Sequence, residues 1–149
     1  MTLKVKINDI PFDEQLNGIC ILKYATPHID IDELDNEQIE DILRKIMDDD
    51  VDYAFKDFAE YLEWHLGEAV AEKFGREYGE AYMGLPDNGN GIWFEGLKKT
   101  DEDGITWDFD EYNPQLCDEI KEYAAKLAND TEWLNENLPE REIEIEVNL

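Results

Sequence analysis

Histidines and carboxylates are the side chains of this chain that could bind a metal ion or transfer a proton. His65 lies in a predicted helix with Glu68 and Glu72 at helical spacing, but the chain has 2 histidines in all and no HExxH pattern. His28 follows a proline in a predicted loop. The sequence also lacks the GxGxxG, GKS or GKT, and GxSxG motifs. We therefore expect structural histidines and a protein that is not an enzyme, with no catalytic residue, metal site or cofactor.

Calcium is the main alternative ligand, because proteins often bind it with loops rich in Asp, Asn and Gly. Two predicted loops have this composition, at 87–91 and 101–111. When Gly104 is aligned with the invariant glycine of an EF-hand loop, the first ligand position falls on Lys99 and the last on Asp110. The EF-hand pattern therefore fails, and a calcium-binding acidic module is kept as an alternative that a calcium titration would test.

The charge balance is the most informative property of the composition. The chain has 39 acidic and 13 basic residues and a net charge of −26. Solubility needs far less, since a net charge of about 2–8 is enough for a small domain. Direct binding to DNA, RNA or an anionic membrane is disfavoured, because those partners attract Lys and Arg. The protein is therefore predicted to bind a basic partner.

The acidic residues are concentrated in three blocks, at 30–57, 95–111 and 118–146. Acids three or four residues apart on a helix stand about 5–6 Å apart, which is close to the separation of successive phosphates along a strand. At the charge density of duplex DNA, the excess of 26 charges matches roughly 44 Å of double helix. The carboxylates predicted to contact the partner are Asp48, Asp49, Asp50, Asp52, Asp57, Glu60, Glu63, Asp101, Glu102, Asp103, Asp108 and Asp110.

This charge pattern predicts a non-enzymatic inhibitor that presents carboxylates where phosphates would lie and so blocks a basic nucleic-acid-binding protein. From Asp30 onward the composition resembles that of the small acidic DNA mimics that phages and plasmids use against restriction enzymes or CRISPR effectors. The resemblance implies an anti-defence protein, anti-CRISPR or antirestriction, that acts in the host cytoplasm. Exposed aromatic residues would stand in for bases or act as binding hot spots, and the candidates are Tyr53, Tyr61, Trp64 and Trp93.

Other functions would use the same acidic surface. An immunity protein or antitoxin would neutralise one nuclease toxin by the same electrostatic mechanism. A solvated acidic surface would have no specific partner, whereas adaptation to high salt is disfavoured by the Lys- and Ile-rich usage of the chain. A homodimer that extends the acidic surface is a further alternative that the sequence leaves open.

A long amphipathic helix from Val51 to Tyr82 is predicted to organise the fold. Apolar residues recur in it at spacings of three and four, and this stripe comprises Val51, Phe55, Phe58, Leu62, Leu66 and Ala69. Two other helices are predicted, one at 36–46 with Asn36 as its N-cap and one from Pro114 to Leu138.

Alternation of apolar and charged residues predicts neighbouring strands at Met1–Asn8 and Arg141–Leu149, with Lys4 and Lys6 facing glutamates across the pair. Further strands are predicted at Ile19–Tyr24, Ile92–Leu97 and Ile105–Asp110. These elements predict a single α+β domain over residues 1–149, in which a mostly antiparallel sheet of about five strands packs with about three helices.

The cysteines and the terminus predict the compartment. Cys20 and Cys117 form no CxxC motif and have no neighbouring histidine in the sequence, so free thiols of a reducing compartment are expected. No stretch has the length of a membrane span, and the first residues do not form a signal peptide. A cytoplasmic protein is therefore predicted.

Overall fold

Helices make up most of the chain. The computed structural model describes residues 1–85, 93–94 and 96–148, and for Trp93 it describes the backbone alone. The α-helices of these residues are α1 (Phe12–Gln15), α2 (Gly18–Leu22), α3 (Asn36–Ile46), α4 (Asp49–Phe74), α5 (Arg76–Ala81), α6 (Phe109–Tyr112), α7 (Pro114–Ala128) and α8 (Thr131–Asn137). The strands are β1 (Thr2–Lys6), β2 (Ala25–Thr26), β3 (Tyr82–Met83), β4 (Trp93–Phe94), β5 (Lys98–Thr100), β6 (Thr106–Asp108) and β7 (Glu142–Glu146). Short 3-10 turns lie at Ile7–Asp9 and Ile31–Glu33.

The predicted fold class, α+β with a sheet of about five strands and about three helices, is wrong. About 60% of the chain is helical, and the described strands form one sheet of three strands and two sheets of two strands. All described strand pairs are antiparallel. The difference arises because α2 forms where one strand was predicted, at Ile19–Tyr24, and because α6 begins at Phe109, inside the strand predicted at Ile105–Asp110.

The contacts divide the chain into two compact units. The first comprises Met1–Tyr61 and Asn129–Leu149, and the second comprises Leu62–Ala128. The boundary falls within α4, so the first half of that helix belongs to one unit and the second half to the other. The expectation of a single domain over residues 1–149 stays a prediction.

The termini form the three-stranded sheet of the first unit, in the order β2-β1-β7. Leu3 pairs with Ile145 and Lys4 with Glu144, so the predicted neighbouring strands are confirmed. Leu3, Val5 and Ile145 are buried on the inner face. On the outer face Lys4 Nζ lies 3.9 Å from Glu144 Oε1. Both of these side chains are more than half exposed, so the ion pair contributes little to stability.

Asn8 joins the end of β1 to the chain around α8 and β7. Its side chain is 1% exposed, and its amide nitrogen donates to the carbonyl oxygens of Leu134 (3.4 Å) and Pro139 (3.1 Å). Its side-chain oxygen accepts the backbone N–H of Arg141 at 3.0 Å. A buried amide needs such partners to offset the loss of water, and Asn8 therefore fixes how the terminal segments meet.

The strand predicted at Ile19–Tyr24 is wrong, because residues 18–22 form the helix α2. The side-chain oxygen of Asn17 accepts the N–H groups of Ile19 (3.0 Å) and Cys20 (3.4 Å) and so caps the helix. A short apolar run cannot be assigned to strand or helix by periodicity alone. The pair Asn17-Gly18, a dipeptide typical of hairpin turns, is here the start of a helix.

Helix α3 confirms the helix predicted at 36–46, with its cap one residue earlier than expected. Asp35 rather than Asn36 is the N-cap, since Asp35 Oδ1 accepts the N–H of Gln38 at 2.8 Å. The side-chain oxygen of Gln38 accepts the N–H of Asp35 in return, at 3.0 Å. These reciprocal bonds form a capping box.

Helix α4 carries an apolar stripe as predicted, but two of the six buried residues differ from the predicted ones. The buried residues along it are Val51, Ala54, Phe58, Leu62, Leu66 and Val70, whereas Phe55 and Ala69 are half-buried. The predicted single helix to Tyr82 is interrupted by Gly75, whose φ of +126° is a conformation that only glycine adopts readily. Helix α5 begins directly after it.

Helix α5 packs against the second half of α4 at a point where only glycine fits. A Cβ placed on Gly79 would lie 2.3 Å from the Cβ of Ala71 and 2.6 Å from the backbone oxygen of Gly67. These separations are far below van der Waals contact, so the absence of a side chain at Gly79 sets the approach of the two helices.

An aromatic cluster around Phe109 forms the core of the second unit. The Phe109 ring lies 4.9 Å from that of Phe94, 5.4 Å from that of Tyr78 and 5.6 Å from that of Tyr112. Residues 105–110 were predicted to be one strand, but only Thr106–Asp108 is β6, and Phe109 begins α6. Of the strand predicted at Ile92–Leu97, β4 covers Trp93–Phe94, and Ile92 and Glu95 lie outside the described residues.

The helix predicted from Pro114 to Leu138 is confirmed in position, but it is divided into two helices. Helix α7 begins at Pro114 as predicted and ends at Ala128, and α8 begins at Thr131. The Asp130 side chain accepts the N–H groups of Glu132 (3.1 Å) and Trp133 (3.3 Å), so it is the N-cap of α8. No described helix is long and apolar enough to cross a membrane.

Candidate acidic partner-binding surface

The carboxylates of the described chain all lie at its surface. Asn8 and Gln15 are the buried polar residues there, and no described Asp or Glu is buried. Five ion pairs join described residues, and each uses one Lys or Arg. Because acidic residues outnumber basic ones 39 to 13, most carboxylates face water without a basic neighbour. The surface therefore carries the net charge outward.

The structure places one group of the predicted carboxylates in the first unit, at the start of α4 and along its first half. This group is Asp48, Asp49, Asp50, Asp52, Asp57 and Glu60, of which Asp57 is half-buried and the others are exposed. Asp49, Asp50 and Asp52 lie in the first turn of the helix, where negative charge is favoured by the helix dipole. Asp52 also pairs with Lys56 at 2.9 Å.

Two exposed tyrosines lie between these carboxylates. Tyr53 is 65% exposed and Tyr61 is 47% exposed. The spacings from Tyr53 to Asp57 and from Asp57 to Tyr61 are both four residues, so the three side chains follow one another on one face of the helix. We call the set of Asp49, Asp50, Tyr53, Asp57, Glu60 and Tyr61 the α4 face; Asp57 is half-buried in it and the other five residues are exposed.

The α4 face has a charge density close to that of a nucleic-acid strand. Residues 49–60 contain five acids and one lysine, and twelve helical residues rise about 18 Å. The net spacing is thus one negative charge per about 4.5 Å, against about 3.4 Å for one strand of B-DNA. The buried stripe Val51, Ala54 and Phe58 holds the opposite side of the helix in the core, which fixes the α4 face toward solvent.

The remaining predicted carboxylates belong to the second unit. Glu63 is half-buried on the second half of α4, and Asp101, Glu102 and Asp103 form the turn of the β5–β6 hairpin. Asp108 directly precedes α6, and Asp110 lies in its first turn. The structure thus divides the predicted surface between two units rather than gathering it in one. The exposed Trp64 also lies in the second unit, and the structure describes only the backbone of Trp93.

Asp101 organises the hairpin. One carboxylate oxygen accepts the N–H groups of Asp103 and Ile105, both at 2.9 Å, and the other accepts the indole N–H of Trp107 at 2.9 Å. The Trp107 bond and the backbone N–H donors lower the pKa of Asp101. Sequence reasoning missed this structural role, although an aspartate three residues before a glycine is a turn signal.

In the described loop at 101–111, carboxylates that could face a cation already accept local hydrogen bonds. Asp108, Asp110 and Glu111 bring their carboxylate oxygens within 4.8 Å of one another, but Glu111 accepts the N–H of Asp108 at 3.3 Å, at the start of α6. The oxygens of Asp101 already accept three N–H donors. The loop at 87–91 lies outside the described residues.

The histidines and cysteines form no cluster in the described part of the chain. The ring of His65 packs edge-on against that of Trp64, with centroids 4.8 Å apart, and His28 is exposed. Cys20 and Cys117 were expected to be buried free thiols; both are free, Cys117 is buried and Cys20 is half-buried. Burial raises the pKa of the Cys117 thiol, which disfavours the reactive thiolate.

Comparison with known proteins adds no relative. The chain matches no protein-family model, no curated protein sequence and no solved structure.

Proposed function

We propose that the protein is a non-enzymatic inhibitor that imitates the charge of a nucleic-acid strand and occupies the binding groove of a basic nucleic-acid-binding protein. The partner would be a CRISPR effector, a restriction enzyme or another nuclease, in the cytoplasm of the host cell. The observation that carries the proposal is the α4 face, which presents one net negative charge per about 4.5 Å on a rigid helix.

The mechanism is competition for the same cationic groove. A helix supplies this charge without the flexibility of a loop, because the buried stripe of α4 orients the face. Long-range attraction between a chain of net charge −26 and a basic groove also accelerates association. The nucleic acid and the inhibitor would then exclude each other by overlap and by like charge.

The test is a competition experiment with a partner captured from a host lysate on this protein. Labelled duplex DNA is bound to that partner, and the protein is added at several salt concentrations. We expect the protein to release the DNA, and we expect its own complex with the partner to weaken steeply as salt rises. A stable ternary complex with unchanged DNA affinity would refute the mimicry.

Matched variants connect the competition to the α4 face. The test variant neutralises four acids of the face: Asp49→Asn, Asp50→Asn, Asp57→Asn and Glu60→Gln. A control variant with the same change in net charge neutralises exposed acids of α7 and α8: Glu119→Gln, Glu122→Gln, Glu132→Gln and Glu136→Gln. We expect the first variant to lose most of its competing activity and the second to keep it. Equal loss in both would mean that net charge alone acts.

A further inference from the structure

The α4 face contains a carboxylate between two exposed aromatic rings. Asp57 lies four residues after Tyr53 and four residues before Tyr61, and side chains at this spacing are neighbours about 5–6 Å apart at Cβ. Tyr53 is 65% exposed and Tyr61 is 47% exposed, so a large part of each residue is accessible to solvent. The face is open to a partner.

The carboxylate of Asp57 is not neutralised within the described chain. The nearest lysine in sequence, Lys56, pairs instead with Asp52, and Nζ lies 2.9 Å from Oδ2. Among the described residues no ion pair involves Asp57 or Glu60. The two acids therefore remain available to a cation supplied from outside.

Folding does not explain the tyrosines. Neither ring contributes to the buried core, and tyrosine has a lower helix propensity than Leu, Glu, Lys or Ala, which would serve better at exposed helical positions. Exposed aromatic side chains are instead typical of binding hot spots. Their alternation with carboxylates indicates the chemistry of the group that they bind.

We propose that the α4 face binds an arginine-rich segment of the partner, with guanidinium groups seated on Asp57 and stacked against Tyr53 and Tyr61. This inference rests on the proposed function, because it assumes a basic partner. A guanidinium group is planar, bonds a carboxylate through two parallel N–H groups and stacks on aromatic rings. A lysine ammonium is a strongly hydrated point charge and gains less from the rings. The face therefore selects arginine over lysine.

The test uses two synthetic probes, oligo-arginine and oligo-lysine peptides of equal length, titrated calorimetrically into the intact protein at low ionic strength. A cation–π contact at an exposed site changes affinity by roughly threefold, so two rings should give oligo-arginine about a tenfold advantage. The double variant Tyr53→Leu and Tyr61→Leu should remove this tenfold contribution of the rings from the ratio while the affinity for oligo-lysine changes little.

A ring-preserving variant is the matched control. Tyr53→Phe with Tyr61→Phe removes both hydroxyl groups but keeps the rings, and it should retain the preference for arginine. Asp57→Asn should weaken both peptides, because it removes the charge that both use. Circular dichroism on each variant verifies that the helix is intact.

The outcomes separate this inference from the function on which it rests. If both peptides bind with equal affinity and the leucine variant behaves like the parent, the arginine site is refuted while a charge mimic stands. If neither peptide binds even at low salt, the affinity for basic partners fails and both proposals fall. Loss of the arginine preference in the phenylalanine variant would also refute stacking as its cause.

Discussion

The contact between α4 and α5 predicts opposite effects on stability for alanine substitutions at two glycines, Gly79 and Gly67. Adding a methyl group at Gly79 would place Cβ 2.3 Å from the Ala71 Cβ and 2.7 Å from its Cα. The backbone has to move, and overpacking of this kind destabilises a protein by about 1–3 kcal/mol or more. The better helix propensity of alanine offsets about 1 kcal/mol. Because backbone atoms block the site, Gly79→Ala should lower the free energy of unfolding by about 2 kcal/mol.

Gly67 lies across the same contact and provides the control. A Cβ there would lie 3.4 Å from the backbone oxygen of Gly79 and 4.0 Å from the Tyr82 ring. These are ordinary contacts, so Gly67→Ala should be neutral or should stabilise by up to about 1 kcal/mol through helix propensity.

Urea denaturation followed by circular dichroism and tryptophan fluorescence measures both glycine variants. In a thermal scan a loss of 2 kcal/mol should lower the midpoint by about 4–8 °C for a chain of this size. A Gly79→Ala protein as stable as the parent would show that α5 does not approach α4 as closely as these distances require. Equal destabilisation by Gly67→Ala would show that the two sites are not distinguished by packing.

Three other predictions concern polar groups. Asn8→Ala should lower the free energy of unfolding by about 1–3 kcal/mol, because it removes the three hydrogen bonds of a buried amide and leaves the backbone N–H of Arg141 without its Asn8 acceptor; chemical denaturation that finds it neutral would contradict the bonding described. The hydrogen bond to Glu14 raises the pKa of Tyr24 to about 12, so its stabilising effect is complete below pH about 10, the ordinary tyrosine value, and is lost as the pH rises toward about 12. Ultraviolet titration of the parent against Tyr24→Phe should detect one late-ionising phenol. Because the pKa of Asp101 is lowered, its stabilisation of the hairpin is present above the ordinary aspartate pKa and is lost as pH falls through the lowered value. Asp101→Ala should shift the fluorescence of Trp107 at neutral pH; an unshifted spectrum would contradict the indole bond.

The sequence predicts elements well where a long pattern has a single interpretation. Helix α4 extends over many turns, so a period of 3.6 is distinct from a period of two, and only the glycine with positive φ interrupts it. The pairing of β1 with β7 was predictable from strict alternation together with opposite charges, Lys4 against Glu144. In both cases many residues indicate the same structure.

The errors occur where one capping side chain outweighs a short pattern. Residues 19–22 are apolar enough for a strand, but two hydrogen bonds from Asn17 begin a helix there. At 105–110 the sequence alternates throughout, but the strand ends at Asp108, and α6 starts at Phe109, whose ring enters the aromatic core. In each case about one residue decides between strand and helix. A single capping interaction contributes roughly 1 kcal/mol, and the pattern of hydrophobic residues does not detect it.

The sequence predicted that the candidate surface is acidic, but it did not predict which acidic residues form it. Many acids of this chain serve its local structure: Asp35 and Asp130 cap helices and Asp101 closes a hairpin, each by accepting backbone N–H groups. Among the described residues, Asp57 and Glu60 accept no backbone N–H group and cap no helix. They lie in mid-helix, beyond the turn where the dipole favours acids, and their spacing of three residues makes them repel each other.

A mid-helix pair of like charges between exposed tyrosines slightly opposes folding. Its presence is therefore better explained by binding than by stability. The denser run Asp48–Asp50 carries more charge, yet its position at the start of α4 gives it a structural reason to exist. For this reason the search for the proposed partner should start from the chemistry around Asp57 rather than from the place where acidic residues are most frequent. Asp57 has an exposed tyrosine four residues to either side and forms no ion pair with a described residue.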